Sequence, residues 1–201
     1  MSTSSGGTNP AADLPSPPLF GSKSIAEVLT SAAASLGMPG FTNHLQLPPA
    51  QRVCVVLADG LGRTLLKQKS SHTPFLRTVM AGGQRNVPTW VDAAFPPSTT
   101  AASLASLGTG LPAGQHGMVG YDVLDPDQDK VVNLLGNWDS QVDPAQWQPH
   151  PTVFERLAGE LDVVTVSLPQ FGNSPDDPGC SPGGKPLCRR HHAACPHRRR
   201  R

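Results

Sequence analysis

Long apolar runs are missing from this 201-residue chain. No stretch approaches the roughly 18 consecutive apolar residues that a membrane-spanning helix needs, which excludes a helical span. A basic start followed by an apolar stretch is missing too. Met1 to Pro18 is rich in Ser, Gly, Pro and Ala, and does not read as a secretory signal. Cysteine is scarce up to residue 174, where Cys54 stands alone. A disulfide framework is excluded there, and the usage suits a reducing cytoplasm. Aromatic residues are only 5% of the chain, and Tyr121 is the one tyrosine. Net charge is close to zero at +1, so the chain as a whole has no pull towards polyanions, nucleic acid included. No internal repeat is found.

Proline and glycine are plentiful, at 22 and 20 residues. That is below the level of about 25–30% at which low-complexity disorder is expected. The chain is long enough for one domain with a core. Residues 1–20 read as a flexible leader. Ser24 and Glu27 make a capping box, and Ile25, Val28, Leu29 and Ala32 recur at helical spacing, which predicts a helix over 24–36. The apolar, β-branched run Val53 to Ala58 predicts a buried parallel strand, with Cys54 as a small core hydrophobe. Helices are predicted from Gly62 to Lys69, from Pro74 to Met80 and from Thr100 to Leu107. Residues 85–94 read as extended and 131–135 as a strand. Another helix begins at Thr152, and Leu161 to Leu168 reads as a second parallel strand. Strands and helices alternating with short links predict an α/β fold: a doubly wound, mostly parallel sheet flanked by helices.

Two residues carry the chemistry. Asp59 closes the first strand and precedes Gly60-Leu61-Gly62. A carboxylate at the carboxyl end of a parallel strand lies where open α/β sheets place their ligands. Thr100 ends Phe95-Pro96-Pro97-Ser98-Thr99-Thr100, a turn that delivers a hydroxyl to the start of a helix. The positive end of the helix dipole favours an oxyanion there. Taken singly, Asp59 could be a turn former before glycine and Thr100 a plain N-cap. Together they are half of a metal-assisted phosphoryl-transfer site.

The order of these pieces resembles the nucleotide pyrophosphatase/phosphodiesterase branch of the alkaline phosphatase superfamily. The matching residues are Leu57-Ala58-Asp59-Gly60-Leu61-Gly62, Phe95 to Thr100, Leu107-Gly108-Thr109-Gly110-Leu111-Pro112 and His116-Gly117-Met118-Val119-Gly120-Tyr121. The resemblance implies an alkaline-phosphatase-like fold with two zinc ions, or another divalent metal. Asp59 is then a metal ligand. Thr100, nine residues ahead of Thr109, is both nucleophile and metal contact, with Thr99 the neighbour in reserve. Many members carry an asparagine three residues after the nucleophile, which holds phosphoryl oxygens. Ser103 stands there and can donate from a shorter arm. The substrate implied is a small phosphodiester or nucleotide, with neither nucleic acid nor membrane as partner. His116 falls in a structural turn, and Tyr121 is expected to pack with its hydroxyl at the surface. A sulfatase or phosphoglycerate-mutase relative is the remaining option within the superfamily.

The text changes at Ser174. Residues 175–201 hold seven of the 16 Lys/Arg, two of the 15 Asp/Glu and three of the four cysteines, with no apolar periodicity. The expected organisation is a leader over 1–20, the N-terminal part of the phosphodiesterase domain over 21–174, and a disordered basic Pro/Gly/Cys/Arg tail over 175–201. The abrupt change is what a shifted reading frame in a GC-rich gene produces, and it makes the sheet incomplete at its C-terminal side. A zinc or nucleic-acid tail built from Cys180, Cys188, His191, His192, Cys195 and His197 is the alternative, although no CxxC pair is present. The resemblance requires about six metal ligands, and residues 1–174 supply Asp59 and the Thr100 hydroxyl. The chain is therefore expected to be an inactive form of a metal-dependent hydrolase. The rival class is a non-catalytic product or small binding domain with a basic tail.

Overall fold

The computed structural model describes residues 16–81, 90–92, 98–134 and 141–166. Residues 1–15, 82–89, 93–97, 135–140 and 167–201 lie outside that description. With them go most of the expected leader, most of the extended 85–94 segment, Phe95-Pro96-Pro97 and the tail.

Helices dominate the packed part. α1 (Glu27–Ser35), α4 (Thr100–Thr109) and α7 (Val153–Arg156) share one core of Leu29, Ala33, Leu107, Val153 and Leu157. Ile25, Val28, Met38, Phe41, Phe154 and Leu161 pack around it. α1 lies inside the predicted 24–36 but starts at Glu27 after an N-cap at Ala26, and Ser24 Oγ accepts from Ala26 N–H rather than capping the helix. The Glu27 carboxylate accepts from Ser24 N–H at 2.6 Å and from Gly21 N–H at 2.8 Å, which satisfies this buried side chain. α7 opens on a complete capping box, in which Thr152 and Glu155 bond each other's backbone N–H.

Small residues let α4 approach α1 closely. At its C-cap, Gly110 has φ +73°, and a Cβ there would stand 2.6 Å from Thr30 Cγ2. Glycine is required at this position by both the left-handed backbone and the close approach. The short α5 (Ala113–His116) packs on α4. After it, β1 (Asp122–Asp125) pairs antiparallel with β2 (Lys130–Asn133), with Val123 opposite Val132. β1 carries no sequence signal of its own, because Asp122-Val123-Leu124-Asp125 is too short to show a period. α2 (Arg63–Gln68), α3 (Pro74–Ala81) and α6 (Pro144–Trp147) complete the described elements, and the first two match the predicted helices closely.

The two predicted parallel strands depart from expectation. Residues 53–58 and 161–166 form no ladder among the described residues. Residues 53–58 are exposed throughout, with Val56 84% accessible, while 161–166 alternates half-buried and exposed residues, with Val166 71% accessible. Cys54 is correspondingly exposed, not a core residue. The reason is physical. A parallel strand receives its hydrogen bonds and its burial only from neighbouring strands and covering helices. The described residues bring no pairing strand to either segment, and of the two only 161–166 touches the helical core, through Leu161.

Candidate functional site

Thr100 is the first residue of α4. Its neighbour Thr99 is the N-cap, accepting from Ala102 N–H at 3.3 Å. Capping therefore falls to Thr99, which leaves the Thr100 hydroxyl for other partners. Ala101, Ala102, Ser106 and Leu107 bury the inner face of α4, so the start of the helix rests on a packed base.

Asp59 comes from a segment 41 residues earlier, and its Oδ2 lies 3.5 Å from Thr100 Oγ1. Asp59 Oδ1 accepts from Gly60 N–H at 2.8 Å, and Gly60 has φ +68°. The tight turn after Ala58 thus aims the carboxylate at Thr100. Ser103 is one turn further along α4, on the same face and half-buried.

The third member of the group is Tyr121, expected from the sequence to pack with its hydroxyl at the surface. It is 38% exposed, yet its Oη stands 2.8 Å from Thr100 Oγ1 and accepts from Thr100 N–H at 3.3 Å. No periodicity signals this contact. The only hint is its position at the end of the glycine-containing loop 117–120, whose course brings the chain back over α4.

His116 fixes that course. It is 1% exposed. Its Nδ1 accepts from Met118 N–H at 3.1 Å, so the ring hydrogen sits on Nε2 and is directed at Ser106 Oγ, 2.8 Å away. Burial, reinforced by the nearby charge of His150, lowers its pKa from 6.5 to about 4. The ring is neutral at pH 7 and ties the loop to α4. This is the structural turn expected of it.

The spacing of the Asp59 and Thr100 oxygens suits a shared ion. Two oxygens on one tetrahedral zinc at about 2.0–2.1 Å stand about 3.3–3.4 Å apart. The number of donors does not suit it. Among the described residues no three or more His, Cys, Asp or Glu side chains come together. One carboxylate and one hydroxyl do not complete a zinc site, still less two. No helix of the described residues is long and apolar enough to cross a membrane.

A family model, type I phosphodiesterase / nucleotide pyrophosphatase, matches residues 53–190 of this chain. The chain belongs to that family. The match covers Asp59, Thr100, Ser103, His116 and Tyr121, and it runs past Ser174 into the region that composition sets apart. Neither the curated proteins nor the solved structures offer a match. Membership implies the alkaline-phosphatase-like fold and hydrolase chemistry on phosphodiester or pyrophosphate bonds, and the family is typically metal-dependent. Of the fold, the described residues show the helices and one two-stranded antiparallel sheet.

Proposed function

We propose that this chain carries the nucleophile side of a metal-dependent hydrolase of phosphodiester or pyrophosphate bonds. Thr100 is the nucleophile, Asp59 a zinc ligand and Ser103 a donor to the substrate's phosphoryl oxygens, set in a doubly wound parallel sheet. The observation that carries this reading is the meeting of Asp59 Oδ2 and Thr100 Oγ1 at 3.5 Å across 41 residues, at the start of α4. A hydroxyl there stands at the positive end of the helix dipole, which stabilises the charge an alkoxide or phosphoryl group brings. The substrate is a small phosphodiester or nucleotide. Nucleic acid and membrane are not partners in this reading, and the free thiol of Cys54 suits a cytoplasmic setting.

The 201-residue chain is proposed to be inactive. An unassisted threonine hydroxyl is a weak nucleophile at neutral pH, and the described residues give an ion two oxygen donors. That shortage also supports a second reading, a non-catalytic member of the family. The test is turnover of a p-nitrophenyl phosphodiester with added zinc. It compares the 201-residue chain with a form whose codons after 174 are read in the frame that continues α/β sequence. The second form is expected to turn over and to lose activity on Thr100→Ala, and the first is expected to be silent. Silence of both would favour the non-catalytic reading.

A further inference from the structure

We propose that Tyr121 is a positioning residue for the Thr100 hydroxyl. The inference rests on the reading of Thr100 as nucleophile and adds to it a group that sets its side-chain angle and its proton. The argument starts from donor counting. The Thr100 hydroxyl has one hydrogen, and two oxygens lie near it: Tyr121 Oη at 2.8 Å and Asp59 Oδ2 at 3.5 Å. A carboxylate oxygen can only accept, whereas a phenol can donate or accept. The arrangement that uses each hydrogen once is Tyr121 O–H donating to Thr100 Oγ1, with Thr100 O–H directed at Asp59. The remaining lone pair of Tyr121 Oη then takes Thr100 N–H at 3.3 Å.

One phenol oxygen thus grips both the backbone nitrogen and the side-chain oxygen of the same residue. This matters because threonine in a helix divides between two χ1 wells, one of them favoured by a bond to a carbonyl three or four residues back. Thr100 opens α4, so a carbonyl three or four residues back would belong to the segment ahead of the helix, outside the described residues. Among the described residues, Tyr121 is the group that favours one well. Its hydrogen bond also gives Oγ1 a fixed donor, of the kind that stabilises negative charge on an oxygen.

Tyr121 is itself held by its backbone. Its carbonyl accepts from Leu134 N–H at 2.6 Å, beyond the end of the β1–β2 ladder, and Leu134 is buried. On its N-terminal side, the His116–Ser106 bond ties the loop to α4. Both anchors are independent of the phenol hydroxyl, so Tyr121→Phe keeps the ring and its supports.

The experiment is NMR of Thr100 in the 201-residue chain, reading χ1 from three-bond couplings to its methyl carbon. The native protein is expected to show one rotamer, and Tyr121→Phe an average over two. The same single rotamer in both would overturn the proposal. A second measurement covers failure of that variant to fold. With tyrosine labelled at Cζ, the chain gives one signal, because it has one tyrosine. Thr100→Val, which removes the hydroxyl at constant shape, is expected to displace that signal, and an unmoved signal would overturn the contact. Neither measurement requires turnover, so loss of the contact and loss of the nucleophile role are observed separately.

Discussion

The two halves of this molecule use similar residues to opposite effect. Around α1, α4 and α7, leucines, valines and alanines are buried in one core. Along 53–58 an apolar text lies open to solvent, and along 161–166 every second residue does. A helix satisfies its own backbone and needs one covered face, which a few neighbours provide. A strand satisfies nothing alone and waits on partners at both edges. Local sequence can therefore complete the first region, whereas the second depends on chain that pairs with it.

That contrast can be tested by substitution. Leu107→Ala should show the largest effect, a loss of about 2–5 kcal/mol in denaturant unfolding, because it empties the shared core. A cost under about 1 kcal/mol would remove the distinction between the halves. Gly110→Ala should cost about 1–3 kcal/mol, since it adds a Cβ 2.6 Å from Thr30 Cγ2 at φ +73°. Adding Thr30→Ala should restore part of this, relieving the clash and leaving the backbone strain.

Acid should loosen the packed half as well. The folded-state pKa of His116 is about 4, below its ordinary 6.5. Between those values the unfolded chain takes up a proton that the folded chain refuses. Stability should hold above about pH 6.5, decline as pH falls and level off near pH 4, by about 1–3 kcal/mol in total. His116→Gln should flatten that slope in pH-dependent thermal unfolding. Smaller again, Thr152→Ala should cost about 1 kcal/mol through loss of the α7 capping box. Val56→Thr marks the opposite end of the comparison, with a change within about 0.5 kcal/mol at a residue 84% exposed. A cost like that of Leu107→Ala would mean that the segment is covered after all.

The same contrast decides what could be read from the sequence. The helices at 63–68, 74–81 and 100–109 were legible because caps, turns and 3.6-residue spacing are local signals. The strand expected over Val53 to Ala58 forms no ladder among the described residues, because pairing and burial belong to neighbours that no local pattern names. Asp59 and Thr100 drew notice through local signals, a carboxylate before Gly60 and a hydroxyl at a helix start, and the structure brings the two side chains together. Tyr121 has no such signal. Its contact with Thr100 depends on a loop steered by the buried His116 and on the hairpin that follows, and neither leaves a periodic trace.

The central proposal is that Thr100, beside Asp59, is the nucleophile of a phosphohydrolase site to which the described residues bring two oxygen donors. Zinc-dependent hydrolysis of a p-nitrophenyl phosphodiester tests it most directly, in the 201-residue chain and in the form with the alternative reading frame after codon 174. The account predicts silence from the first, and turnover from the second that Thr100→Ala removes. Zinc-dependent turnover by the 201-residue chain would contradict its proposed inactivity, and turnover by the second form that survives Thr100→Ala would contradict the nucleophile.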